Sequence, residues 1–419
     1  MKSSPIHLPL FQKFDCHSCG YCCHNLVVNV TQEEQRKIVD AGWIERMAGQ
    51  TLFIAYRFRG RKLLRLAHRP DGACVFLGED GLCRLHKETG VQIKPLPCRM
   101  YPFVPTPGAG SVRIDLRADC PSVAKNHGQS LTRHNGDIAG FVAETCTRPM
   151  SSPPAWKGGR KLSEEEFPTF VAAFNGLLSN ESLPIRDRFR TGALLLDLLY
   201  SARLVKVRDV RLGELLHLLA QAALEEMGRG EPVPPAPRRA GRLFRQWLFL
   251  HAIADDPADL AVRGLAKFRR SWARYLQSRR FASGTGAVPL VCPDWPTTTF
   301  EAVAAIGPAA DEHLEPLCRS MRVKLDAHAF CGPGYYGQDV ISGLTALWLL
   351  PSLVGWFARL EAVKAGHAAL DSDDMLAGLR RAHHTFGVSP VFARISERLR
   401  LHALARPGIA GGLLVKFGP

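Results

Sequence analysis

Residues 14–25 read FDCHSCGYCCHN, which places Cys16, Cys19, Cys22 and Cys23 within one short stretch. Thiols at this density either staple a small secreted domain as disulfides or grip a metal. The chain has 419 residues and is 46% hydrophobic, enough to bury a core without staples. Its opening, MKSSPIHLPLFQKFDC, carries no apolar run of signal-peptide length and no small-residue cleavage site. A cytosolic protein is therefore expected, and a metal rather than disulfides.

The cluster extends well beyond the first stretch. Of the 12 cysteines, Cys16, Cys19, Cys22, Cys23, Cys74, Cys83, Cys98 and Cys120 all precede residue 121. A Cys-x2-Cys-x2-Cys segment curls so that three thiolates face one point while its amides donate to the sulfurs, as an iron–sulfur cluster requires. Gly20 permits the close turn. The fourth ligand must come from further on, from Cys74, Cys83, Cys98 or Cys120, the last of which precedes a proline. Adjacent residues in extended backbone point to opposite sides, so Cys22 and Cys23 are expected not to share an ion. One of them would then join the pair Cys74 and Cys83 in a second centre. His17, His24 and His86 are expected at the surface or beside a site.

Zinc is the alternative, since four thiolates, or three and an imidazole, make a tetrahedral structural site. Such sites usually show two separated Cys-x2–4-Cys knuckles; this chain has one triple run and widely spaced single cysteines, which favours iron–sulfur. Cys146, Cys292, Cys318 and Cys331 read as buried thiols.

Up to about residue 125 the elements are short. LVVNV (26–30), LFIAYRF (52–58), KLLRLAHR (62–69) and SVRIDLRADC (111–120) read as strands. Thr31 followed by Glu34 is a capping box opening a helix to about Met47. CVFLGEDGLCRLH (74–86) reads as a hairpin turning at residues 78–81. TRPMSSPPAWKG (147–158) is a linker, after which helical patterns follow one another almost without interruption. They fall at 163–178, 186–206, 209–228, 240–254, 257–280, 298–306, 310–328, 338–366, 372–385 and 389–404. The Pro-rich stretch 229–241 is a surface connection. The expected fold is α+β: a cysteine-rich metal-binding domain (1–147), a linker (148–158) and a helical domain (159–419).

CHSCGYCC, CVFLGEDGLCRLH, the element with Pro95, Cys98, Arg99 and Pro102, and Cys120, in that order, resemble the YkgJ-like CxxCxxCC cysteine-cluster family over residues 10–125. The resemblance implies that these cysteines chelate zinc or iron. The layout, a cysteine cluster with a long helical extension, is also similar to flagellin lysine N-methylase. That similarity implies a 4Fe-4S or related iron–sulfur cofactor, S-adenosylmethionine as methyl donor and a protein substrate such as flagellin. The Cys-x3-Cys-x2-Cys run of radical S-adenosylmethionine enzymes is absent. A lysine methyltransferase, a zinc-binding interaction protein and an iron–sulfur redox carrier or sensor thus all remain in view.

Three further signals carry expectations. CGPGYYGQD (331–339) places Gly332, Gly334 and Gly337 in a GxGxxG pattern before a helix, a candidate nest for a phosphate or adenosyl ligand, with a tight loop as the plainer reading. The uncharged run 340–358 is near the lower length limit of a membrane span, yet Pro351 and its serines favour a buried helix and no membrane span. In KFRRSWARYLQSRR (267–280), Phe268, Trp272, Tyr275 and Leu276 recur at helical spacing and are expected to form a buried stripe. Nucleic acid would need those rings exposed for stacking, so no nucleic-acid partner is expected despite the net charge of +15.

Overall fold

The computed structural model describes residues 5–58, 61–108, 110–146, 153–157, 160–202, 204, 207–253, 262 and 264–419. The fold is α+β, with short strands and helices in the first third and helices thereafter.

Thr31 caps the helix Gln32–Asp40 through a reciprocal box: its hydroxyl accepts from the Glu34 amide, and the Glu34 carboxylate accepts from the Thr31 amide. Gly42, at φ 77°, then breaks the expected single helix, and Trp43–Arg46 restarts it. Beside it Asn29–Val30, Arg61–Leu66 and Phe53–Phe58 form an antiparallel sheet. Ile38, Trp43, Leu66, Phe76 and Leu85 close a small apolar core of their own beneath this sheet. The expected 74–86 hairpin is reduced to a turn at residues 78–81 with a single bridge, Leu77 to Cys83, followed by the helix Arg84–Thr89.

A second sheet pairs Val112–Leu116 with Ile6–His7 on one side and Phe103–Pro107 on the other. Neither flanking strand is evident in the sequence. Phe103–Pro107 holds Pro105 and Pro107, which argue against a strand unless it lies at an edge, as this one does. Phe103, Ile114 and Leu116 of this sheet belong to the same hydrophobic core as the helical region, so packing runs continuously from residues before the linker to residues after it. Most of the linker itself, 147–152 and 158, lies outside the described residues.

The helices follow the sequence pattern closely: Glu166–Leu178, Ile185–Ser201, Asp209–Gly228, Arg238–Ala252, Glu315–Asp326, Val340–Ala365 and Ser372–Thr385. Position 254 of the expected 240–254 helix, 257–261 and 263 of the expected 257–280 helix, and 203, 205 and 206 of the expected 186–206 helix lie outside the described residues. Ile409–Phe417 is a helix that the sequence reading missed, because Gly411 and Gly412 lower its propensity. A side chain at Gly412 would stand 2.4 Å from the Ala236 amide, so the glycine serves close packing.

Val340–Ala365 is the central helix. Every residue from Val340 to Ala358 is buried, which is why its apolar residues show no preferred side. It is the one described helix long and apolar enough to cross a membrane, and its apolar window is wholly buried in protein. Trp348 sits against Gly192, where a Cβ would lie 2.2 Å from the ring, and donates its indole N–H to the Phe189 carbonyl at 3.1 Å.

The Gly264–Ser283 helix corrects an expectation. Phe268, Trp272, Tyr275 and Leu276 are 69%, 55%, 50% and 42% exposed rather than buried. The half-buried side is Arg270, Arg274, Gln277 and Ser278, and it leads to Phe281, which is fully buried against Phe249, Phe300 and Trp356. One aromatic at the C-terminal end anchors the helix, and the neighbouring surface there accepts polar groups: Arg274 donates to the Val291 carbonyl. Exposure of these rings removes the ground on which a stacking surface was set aside.

Candidate metal centre

Three local devices bring thiols together. Gly20, at φ 68°, turns the chain into the short helix Tyr21–Asn25, whose first turn carries Cys22 and Cys23. The Cys74 amide donates to the Cys23 carbonyl at 2.7 Å, tying this helix to the 74–83 turn. The helix Leu96–Met100, which carries Cys98, is held from two sides. Glu34 of the capping box accepts from the Leu96 amide at 2.6 Å, and Arg99 binds both oxygens of Glu144 at 3.1 and 2.8 Å.

The outcome is a cavity of about 30 Å³ lined by Cys22, Cys23, Cys74, Cys83 and Cys98. Its other walls are mostly apolar, among them Leu26, Phe76 and Leu85, with Lys94 and His68 as polar members. The histidine escaped notice in the sequence, where it looked like the tail of a strand. Its Nδ1 lies 3.0 Å from Arg65 and its Nε2 3.2 Å from the Leu26 carbonyl, and burial holds its pKa below the usual value.

Cys22 and Cys23 lie on one helix and share this cavity, so the expectation of opposite directions is corrected; it assumed an extended backbone. A hydrogen bond from Cys23 lowers the Cys22 thiol to about 6, while the same bond and burial raise Cys23. Burial pushes Cys74 up to about 11 and raises Cys98 as well. Thiols so buried resist ionisation unless a cation supplies the compensating charge, and metal binding supplies it.

The expected convergence of Cys16, Cys19 and Cys22 is corrected too. Cys22 turns into the five-thiol cavity, whereas Cys16 and Cys19 are exposed and do not line it. Cys19 instead neighbours Cys120, which precedes the helix Pro121–Ala124; burial raises Cys120 to about 11, and Cys19 adds to the rise. His17 is hydrogen-bonded to Ser122 of that helix and packs edge-on against His127 at 5.6 Å. The helical region reaches this second thiol group: Arg380 donates to the Asp119 carbonyl and lies 4.4 Å over the Tyr21 ring. Asp119 is fully buried; against the upward push of burial, Arg117 at 2.6 Å and His384 at 3.5 Å hold it at about 2. His24 and His86 are exposed and do not line the cavity. Cys318 and Cys331 are buried, while Cys146 and Cys292 are only partly so.

Gly332, Gly334 and Gly337 do form a tight loop, but its amides are used internally. Gly332 donates to Gln338 and Gly337 to the Gly332 carbonyl, each at 2.8 Å, so these two amides are not free for the candidate phosphate nest. Asp339 caps the following helix on the Ser342 amide at 2.7 Å.

Residues 15–130 match the model of the CxxCxxCC family, whose description is "Putative zinc- or iron-chelating domain". No curated protein and no solved structure matches this chain. The N-terminal segment is thus similar to a zinc- or iron-chelating domain, and its clustered thiols are the candidate ligands.

Proposed function

Starting from a chelating domain whose donors are thiols, we propose that the five-thiol cavity holds an iron–sulfur cluster rather than zinc. The donor spacing carries the reading. Zinc–sulfur bonds of about 2.3 Å in a tetrahedron put the four sulfurs about 3.8 Å apart. Among the described residues, the three His, Cys, Asp or Glu donors that lie within 4.8 Å of one another are His367, Asp371 and Asp374, and not any three thiols. Five thiols around one cavity, too widely set for a mononuclear ion, suit a larger centre with sulfide between its irons. Cys22, Cys23, Cys74, Cys83 and Cys98 supply four ligands and one spare; Cys19 and Cys120 are a second, smaller thiol group.

When bound, such a cluster supplies one-electron chemistry or, with an open iron, a Lewis-acidic anchor. The protein's part is to keep the thiols dry behind Phe76 and Leu85 and to hold the Cys98 helix through Glu34 and Arg99. The similarity in layout to flagellin lysine N-methylase extends the reading to methyl transfer from S-adenosylmethionine onto a surface lysine of a protein such as flagellin.

Purification without oxygen, with visible absorption and iron, sulfide and zinc content, tests the first step. Brown protein with iron and acid-labile sulfide is expected, lost in Cys98→Ala and kept in Cys146→Ala. Colourless protein with stoichiometric zinc would overturn it. The methyl-transfer extension is tested next by titrating S-adenosylmethionine and following label into flagellin; a brown protein that binds no S-adenosylmethionine leaves a redox carrier.

A further inference from the structure

A second cavity, of about 130 Å³, lies between the Phe103–Pro107 and Val112–Leu116 strands and the helical region. That is far above the roughly 10–15 Å³ needed by one water. Gly334 forms part of its wall, and only a glycine lets the loop come so close: a Cβ there would stand 2.7 Å from the His328 carbonyl and 2.9 Å from the Ala329 Cα. Pro333 and Val388, both exposed, flank the opening.

The lining is charged yet balanced. Lys324 Nζ donates to Asp115 Oδ2 at 2.8 Å, with the two residues 3% and 4% exposed. Arg117 is paired with the buried Asp119 at 2.6 Å. His383 is 1% exposed, and burial drives its pKa well below 6.5, so the ring is neutral. The unmet hydrogen-bonding capacity is specific. Asp115 Oδ1 accepts from no group, and neither ring nitrogen of His383 has a partner. An ammonium carries three donors, and Asp115 accepts one of those on Lys324. Buried polar groups left in this condition are costly, and they are rare unless something else completes them.

The occupant must therefore present a donor to Asp115 Oδ1 and acceptors toward Lys324 and His383. It must also add no net charge, because a buried excess charge of either sign has no counter-ion here. The geometry points to a binding site for a small zwitterion of α-amino-acid type, its ammonium toward Asp115 and its carboxylate toward Lys324. Val104 and Phe386 supply apolar lining for the remainder of the molecule. The site uses none of the cysteines and stands whether or not the cluster reading does.

Saturation-transfer NMR on the full chain, with L-alanine, the cationic L-alaninamide and the anionic N-acetyl-L-alanine as probes, tests it. L-alanine is expected to bind, and each charged derivative at least about tenfold more weakly. Val388→Trp fills the mouth without touching the buried pair, and is expected to abolish the signal at an unchanged melting temperature. Absence of an L-alanine signal would show water alone in the cavity and overturn the inference. So would equal signals from all three probes, or binding that survives Val388→Trp in a folded variant.

Discussion

Replacing Lys324 by Met removes one charge from a buried pair while keeping most of the side chain's volume. Nζ and Asp115 Oδ2 are 2.8 Å apart, and the two side chains are 4% and 6% exposed, so bulk solvent compensates little of the carboxylate left behind. Breaking such a pair on one side costs about 3–5 kcal/mol. At about 2.1 cal/mol/K of unfolding entropy per residue, 419 residues correspond to about 0.9 kcal/mol/K, so the loss lowers Tm by about 3–6 °C. Urea unfolding should show the same loss at unchanged slope. The double variant Lys324→Met/Asp115→Leu takes out both charges and should recover most of the deficit, since a buried pair and an apolar pair of similar size are close in free energy. A single variant within about 1 kcal/mol of the parent would refute the reasoning, as would a double variant less stable than the single one.

Three further substitutions test packing and burial. Gly343→Ala sets a Cβ 2.1 Å from the Phe330 carbonyl and is expected to cost about 1–3 kcal/mol or more in a urea melt, whereas Gly140→Ala, with nothing within 4 Å, should gain up to about 1 kcal/mol. Equal effects at the two positions would sink the close-approach argument. Burial pushes Asp197 up to about 6 from 3.8, so the folded state keeps a proton that the unfolded chain loses between those values, and stability falls as pH rises through that window. Asn still accepts from the Gly408 amide that lies 2.8 Å from Asp197. Asp197→Asn should thus be the more stable protein at pH 7, by up to about 3 kcal/mol, and equal to the parent below about pH 4; a variant less stable at pH 7 contradicts this.

Much of the architecture was legible because its signals are local. The capping box at Thr31 and Glu34 acts over three residues, and the helices from residue 166 onward announce themselves by apolar spacing and caps. The Gly264–Ser283 helix shows the limit of that logic. Its aromatic stripe has the spacing of a buried face, yet periodicity cannot say which face meets a neighbour, and there the neighbour offers a carbonyl to Arg274. The edge strand Phe103–Pro107 was hidden because its prolines suit a strand only at an edge, and edges are properties of the assembled sheet.

The cysteine count and the CxxCxxCC order were enough to point to a metal-chelating domain, since thiols at that density have little other use in a chain able to build its own core. How the thiols are shared out was decided only in three dimensions. One left-handed glycine, Gly20, makes Cys22 and Cys23 neighbours on a helix and sends Cys19 toward Cys120. The balanced cavity around Lys324, Asp115 and His383 had no trace in the sequence either, because Asp115 and Lys324 are 209 positions apart and only the folded core brings them together.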